Sequence, residues 1–363
     1  MSQPVTQSIA GKRILVTGGA GFLGCAIAQL LAPAAARYIA LDILHPQIHK
    51  SRVRPFTLHA AVELRVADVT VANTWDTVFN DFKPHIIIHL AAETGTGQSL
   101  TEASRHGLVN VVGTTRLTDA LSKYSIHIQH IILTSSRAVY GEGAWRASDG
   151  TITYPGQRSR VQLEAAQWDF PGLSALPSQV DCTEPRPTSI YGATKLAQEQ
   201  ILSAWALAHK IPLSILRLQN VYGPGQSLTN SYTGIVALFS QLARKGQSIP
   251  LYEDGQMTRD FVFIDDVANA IATVLACPPD AIQCFDIGSG QPTTVACMAR
   301  HIIDYYGSPH ATICEEFRNG DVRHASCDLT KTLAYLDWCP QYSLKDGLIK
   351  LQSWLNTQIG HIA

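Results

Sequence analysis

Apolar residues in this chain gather in short runs separated by stretches of helical spacing, and that alternation predicts a layered α/β fold. Ile14-Leu15-Val16-Thr17 reads as a strand buried on both faces, and Phe22 to Leu31 sets Phe22, Leu23, Ala26, Ile27, Leu30 and Leu31 at helix period. Tyr38 to Leu41, Val62 to Ala67, Pro84 to Leu90 and Ile131 to Ser136 read as further strands, while Leu108 to Leu121 and the Ala-, Gln- and Leu-rich run ending at His209 read as helices. Strands alternating with helices give a doubly wound parallel sheet with right-handed crossovers. Ligands of such sheets bind beyond the carboxyl ends of the strands, so the residues at those ends carry the functional information.

The first of those ends is Gly18-Gly19-Ala20-Gly21-Phe22-Leu23-Gly24, which fits both G-x-G-x-x-G and G-x-x-G-x-x-G. Such a loop gives a tight turn, a bare backbone that a pyrophosphate can approach, and a helix N-terminus whose free N–H groups favour an anion. Asp42 closes the second strand, eighteen residues after Gly24, where a carboxylate accepts from an adenosine ribose and repels a 2′-phosphate. That order favours NAD over NADP. Asp68, followed by Val69, ends the third strand and either reaches the adenine or caps the next helix. Small residues after Leu90, in Ala91-Ala92-Glu93-Thr94-Gly95, leave room for the nicotinamide side of a dinucleotide. Ser136 ends the fifth strand and faces the same crevice.

Composition narrows the field. The chain has 363 residues, 16% charged and 46% hydrophobic, with a formal net charge of −1, so no basic excess points to nucleic acid or an anionic membrane. The leader Met1 to Lys12 is polar and no run of about eighteen apolar residues occurs, which leads us to expect a cytoplasmic protein. The 8 cysteines form no C-x-x-C pair and the 13 histidines no H-x-x-x-H or H-E-x-x-H pattern. Reduced structural thiols, satisfied histidines and no metal site are therefore expected.

Residues 142–185 differ in texture, being rich in Gly, Pro, Ser and Arg with helical spacing only from Val161 to Trp168. They read as an insertion over or beside the active site, or as a surface excursion with no part in the chemistry. Beyond it, Tyr191 and Lys195 stand four residues apart on one helix face. An ammonium beside a phenol lowers the phenol's pKa towards a value usable for general base catalysis.

Taken together, Thr17 to Gly24, Asp42, Ser135-Ser136, Tyr191-Gly-Ala-Thr-Lys195 and Arg217-Leu-Gln-Asn220-Val-Tyr-Gly-Pro-Gly225 resemble the extended short-chain dehydrogenase/reductases, the nucleotide-sugar epimerases and dehydratases. The resemblance spans nearly the whole chain. It implies a catalytic Ser136, Tyr191 and Lys195, a tightly held NAD, and a smaller C-terminal domain that grips a nucleoside-diphosphate sugar. On this reading residues 1–220 form the NAD-binding domain, 261–287 return to it, and 221–363 otherwise bind the nucleotide sugar. The cofactor would lie against Gly18, Gly21, Phe22, Leu23 and Gly24, then Asp42 and Ile43, Asp68 and Val69, and Leu90, Ala91 and Ala92, with Tyr191 and Lys195 at its nicotinamide end. The substrate would meet Glu93, Thr94, Ser136, Arg137 and Asn220. Arg259, in Leu251-Tyr-Glu-Asp-Gly-Gln-Met-Thr-Arg259, and Arg318, in Arg318-Asn-Gly-Asp321, look like the two diphosphate-binding arginines, with Asp321 near the nucleoside ribose. Without the resemblance, Arg259 reads as an ordinary ion-pair partner of Asp260 or Asp266.

Dehydratases of this family carry an Asp-Glu pair directly after the catalytic Ser or Thr; here Arg137 and Ala138 stand there, which points to an epimerase. Ala91 to Ser99, Thr134 to Gly143, the insertion, and Gln219 to Gln226 followed by Tyr232-Thr-Gly-Ile235 are similar to the dTDP-L-rhamnose 4-epimerase group. That group often has a cysteine pair in the insertion, where this chain has only Cys182. The resemblance implies NAD-dependent 4-epimerisation of a nucleoside-diphosphate 6-deoxyhexose, with a 4-keto-6-deoxyhexose reductase, a UDP-glucose type 4-epimerase, and an idle NAD-binding regulator as the competing readings. It also implies a homodimer joined through Ile190 to Leu207 and Leu108 to Leu121.

Overall fold

The computed structural model describes residues 5–49, 51–228, 234–307 and 310–358; Met1 to Pro4 of the leader and the Tyr232-Thr233 of the expected substrate segment lie outside the described residues. A seven-stranded sheet runs in the order Ile282–Ile287, Leu213–Leu218, His130–Ser136, Ile86–His89, Arg13–Thr17, Arg37–Asp42, Val62–Val66. Every neighbouring pair in it is parallel. The apolar runs explain this: Ile14, Leu15 and Val16 are all 0% exposed, because a central parallel strand is covered on both faces.

Alternate side chains supply two separate cores. Ile14, Val16, Ala40, Ile88 and Ile132 pack with Ile27 and Leu31 of the helix Phe22–Leu31 and with Val267, Ile271 and Val274 of the helix Ile264–Ala276. On the other face Leu15, Ile39, Leu41, Ile131 and Leu133 pack with Trp75, Phe79, Leu117 and Leu202. A third core, around Tyr222, Phe239, Phe261, Phe263, Met298 and Leu351, lies beneath a smaller sheet built from Asn220–Tyr222, Thr258–Phe263, Pro292–Thr294 and His324–Ala325. Thus the strand Thr258–Phe263 belongs to the small sheet, whereas the helix that follows it and the strand Ile282–Ile287 join the large one.

Two local expectations need correction. The helix expected at Leu108 to Leu121 begins as a π-helical turn, Gly107–Val112, before continuing as the α-helix Gly113–Lys123. The wider turn accompanies a fully buried Asn110, whose amide accepts from the Glu93 N–H at 2.7 Å and donates to the Glu93 carbonyl at 3.1 Å and to Thr194 Oγ1 at 2.9 Å. Residues 142–185, expected to show helix only from Val161 to Trp168, hold a short helix there, Arg160–Glu164, and also a three-stranded antiparallel sheet of Trp145–Ala147, Ile152–Thr153 and Leu173–Ala175. Strands of two and three residues are too short to show a period in the sequence.

Candidate active site

The carboxyl ends of the large sheet open on a cleft of about 1260 Å³. Its wall includes Gly18, Gly21, Phe22, Leu23, Gly24, Asp42, Ile43, Asp68, Val69, Leu90, Ala91, Ala92, Glu93, Thr94, Ser136, Tyr191, Lys195 and Asn220. The structure thus gathers the whole expected cofactor set, and the expected triad, around one space. Arg137, Arg259, Arg318 and Asp321 are not in that wall.

The glycine loop is packed for bare backbone. Gly18 has φ +67°, and a Cβ there would come within 2.9 Å of the Ala91 nitrogen; a Cβ on Gly24 would meet the Gly19 carbonyl oxygen at 2.5 Å. Gly21 starts the helix Phe22–Leu31 with no side-chain cap, so the first N–H groups stay open to an anion. Asp42 receives the Ala20 N–H on Oδ2 at 3.0 Å and the Leu44 N–H on Oδ1 at 2.8 Å, which fixes the carboxylate beside the loop. These residues fit a dinucleotide: a cradle that side chains would fill, and a carboxylate where a ribose would sit. Asp68 accepts from the Thr70 N–H at 2.8 Å, while the helix Ala72–Asp81 starts at Val71 with no side-chain cap, so Asp68 is not a helix cap.

Ser136 and Tyr191 line the same cleft. Ser136 ends a sheet strand, accepts from the Ala138 N–H at 3.1 Å and favours the ionised form of the Tyr191 phenol. Tyr191 opens the helix Ile190–His209, which is capped by Ser189 Oγ accepting from the Gly192 N–H at 3.0 Å. A Cβ on Gly192 would lie 2.4 Å from the Ala138 carbonyl oxygen, so the turn carrying Arg137 rests directly on the helix carrying Tyr191. Burial raises the phenol's pKa, and Ser136 and then Arg137 draw it down.

Lys195 shares a helix face with Tyr191, and its ammonium donates to the Thr134 carbonyl at 2.7 Å and to Gln198 Oε1. Burial brings Lys195 itself down to about 7, against the opposing pull of Glu199. Behind it, Gln198 Nε2 donates to Thr114 Oγ1 at 2.9 Å, and His89 lies between Thr114 Oγ1 at 3.1 Å and Thr17 Oγ1 at 2.7 Å. A buried polar chain therefore links the lysine to the strand that leads into the glycine loop.

On the substrate side, Arg259 is 8% exposed and, among the described residues, donates to the carbonyls of Thr258 at 2.7 Å and Arg323 at 3.3 Å, with Met257 Sδ at 3.9 Å. The carboxylates that would make it an ordinary ion pair are engaged elsewhere. Asp260 accepts from Ser289 and Gly290, and Asp266 from the N–H groups of Gln341 and Tyr342. Burial lowers the pKa of Arg259 against the pull of Asp321 and Glu142; burial, then Arg259, brings Arg137 down to about 10. Asp321 and Glu142 pull on both guanidiniums, and two such groups acting on one another suit an incoming polyanion. Arg318 is exposed, 4.9 Å over the ring of Tyr252. Asn220 Oδ1 is buried without a hydrogen-bond partner.

Sequence reasoning missed Arg105, which lines the cleft and pairs with Glu93 at 2.8 Å, and Asn110, Thr194 and Gln198, whose roles depend on partners across the fold. Among the described residues no group of three or more His, Cys, Asp or Glu could hold a metal, and no helix is long and apolar enough to cross a membrane.

Comparison with known proteins agrees with this geometry. The pattern of the NAD dependent epimerase/dehydratase family matches residues 14–161 and 170–288. A dTDP-L-rhamnose 4-epimerase of Burkholderia thailandensis is 66% identical over 359 residues, covering 99% of each chain. A UDP-glucose 4-epimerase of Mycolicibacterium smegmatis is 30% identical over 344 residues, covering 93% of this chain and 96% of the relative. The crystal structure of a Thermotoga maritima UDP-glucose 4-epimerase with UDP-glucose superposes with a TM-score of 0.79 at 26% identity, covering 96% of this chain and 99% of that one. With its pattern matched over most of the chain and a full-length relative at 66% identity, the chain belongs to the NAD-dependent epimerase/dehydratase family.

Proposed function

We propose that this enzyme inverts C4 of a nucleoside-diphosphate 6-deoxyhexose, interconverting dTDP-L-rhamnose and dTDP-6-deoxy-L-talose. The observation that carries the reading is the phenol of Tyr191, in the same cleft as Ser136 and the glycine loop, in a chain 66% identical to a dTDP-L-rhamnose 4-epimerase. NAD, held by the glycine loop and Asp42, would supply a reversible hydride acceptor for C4. Tyr191, as phenolate, takes the proton from the sugar O4 and later gives it back; Ser136 orients that oxygen. Lys195 holds the ribose hydroxyls of the cofactor and tunes Tyr191. Arg259, Asn220, Arg318 and Asp321 hold the nucleotide, so binding energy rests on the part that does not react and the 4-keto hexose stays free to turn about its diphosphate link. With Arg137 and Ala138 where a dehydratase has its acids, no side chain is placed there to expel a C6 hydroxyl.

Purified enzyme given dTDP-L-rhamnose and no reductant should form the talose epimer up to an equilibrium mixture, followed by NMR. A strict demand for stoichiometric NADPH would make it a reductase instead. Replacing dTDP-L-rhamnose by UDP-glucose in the same assay should leave little or no turnover; preference for UDP-glucose would transfer the reading to that class.

We further infer a cytoplasmic homodimer. Leu108, Val112 and Leu207, on the helices that would form its face, are exposed at 50%, 36% and 72%, and all the cysteines are free thiols. Sedimentation should give twice the 39.5 kDa chain mass at micromolar concentration; a monomer would overturn the dimer.

A further inference from the structure

The insertion, residues 142–185, carries buried charge that reaches the rest of the chain. Its most deeply placed polar side chain is Arg158, 2% exposed. That guanidinium grips Glu253 with two bonds of 2.8 Å, donates to the Trp168 carbonyl at 3.1 Å, and lies 3.4 Å from Glu142. Its remaining bond is the informative one: Nη2 donates to the main-chain carbonyl of Asp321 at 3.0 Å.

From there the network continues towards the phosphate side. Arg323 donates to Glu253 at 3.0 Å, to Asp254 at 2.7 and 2.8 Å, and to Asp169 of the insertion at 3.0 and 3.2 Å. Its backbone N–H is held by Glu142 at 3.0 Å, and its carbonyl accepts from both the Thr258 N–H at 3.2 Å and the Arg259 guanidinium at 3.3 Å. Residues 314–323, which include Arg318 and Asp321, lie in neither helix nor strand. A segment without ladder bonds takes its position from outside contacts, and here those come from residues 251–254, with Cys314 N–H on the Leu251 carbonyl at 3.0 Å and Glu253 N–H on the Glu316 carbonyl at 2.8 Å, and from the insertion through Arg158 and Asp169.

We propose that Arg158 is a positioning residue for nucleotide binding: by holding the Asp321 carbonyl and, through Glu253 and Glu142, Arg323 beside Arg259, the insertion sets the spacing of the diphosphate site without touching the substrate. This rests on the reading above that Arg259 and the 318–321 segment bind the nucleoside diphosphate. A planar fork donating in fixed directions to Glu253 and to the Trp168 and Asp321 carbonyls is what an arginine supplies and a lysine does not. Small displacements of a binding group are costly in affinity, so the loss should appear in substrate binding while the chemistry at C4, served by Ser136 and Tyr191 on another element, keeps its rate.

The test uses full-length, NAD-loaded enzyme and compares wild type with Arg158→Lys for dTDP affinity by calorimetry, KM and kcat for the nucleotide sugar, and NAD content. Expected is a rise of about tenfold or more in the dTDP Kd and in KM, with kcat within about twofold and NAD content unchanged. Unchanged dTDP affinity overturns the proposal, as does a kcat that falls in step with lost NAD, the mark of general damage. Should Arg158→Lys fail to fold, Asp169→Asn decides, since that side chain is half exposed: a raised KM at constant kcat supports the proposal and an unchanged KM overturns it. Wild-type enzyme that binds no dTDP overturns the functional reading, whereas wild type that binds it no better than Arg158→Lys overturns this inference alone.

Discussion

Tyr191→Phe should lose about 10²–10⁴-fold in kcat while still binding NAD and dTDP, because it deletes one oxygen from the cleft and leaves the glycine loop and the arginines in place. The size follows from what general acid–base catalysis contributes when a positioned group takes a proton and gives it back. The pH dependence is also fixed in direction. The base is the phenolate, so kcat/KM rises with pH through the phenol's pKa, which burial holds up and Ser136 and Arg137 draw down. Removing the cation in Arg137→Gln therefore moves the acid limb to higher pH, with the plateau reached later. A Tyr191→Phe enzyme with full turnover, or an acid limb that stays in place or moves to lower pH in Arg137→Gln, would remove the phenol from the role assigned to it.

Glu253→Gln should cost about 3–5 kcal/mol of folding stability, measured by denaturant unfolding at fixed NAD concentration. Glu253 is 1% exposed and receives bonds from both Arg158 and Arg323, each nearly as deeply buried. Its backbone sits at φ +54°, a region that non-glycine residues adopt only when surrounding contacts hold them there. Glutamine keeps the shape but leaves two guanidiniums without the carboxylate between them. A loss below about 1 kcal/mol would show that Asp169, Asp254 and Glu142 neutralise the pair unaided.

What could be read from the chain alone follows from how local each feature is. The glycine loop, Asp42 and the apolar strands are set by neighbouring residues: a turn, a strand end and a buried face each need only a short stretch to specify them. Ser136 and Tyr191 could be paired because strand ends of a parallel sheet share one crevice. Lys195 shows where this stops. Its spacing from Tyr191 places both on one helix face, but the direction of its ammonium depends on the Thr134 carbonyl of a neighbouring strand and on Gln198, and only the folded chain brings these together. Arg158 stands in a polar, proline-bearing stretch that reads as surface. Its burial depends on acids at 142 and 253, far away in sequence. Arg259 is the converse case, since two adjacent acids made an ion pair plausible until Ser289, Gly290, Gln341 and Tyr342 were seen to occupy them.

The central claim is that C4 is oxidised and then reduced within one closed site while Tyr191 handles only the O4 proton. The most direct measurement is the fate of deuterium placed on C4 of dTDP-L-rhamnose, incubated with the enzyme in ordinary water without added reductant and analysed by NMR and mass spectrometry. The account predicts that both epimers keep the deuterium at C4 as they equilibrate. Loss of the label to water at the rate of interconversion would contradict it, because epimerisation would then proceed by removing a proton from carbon.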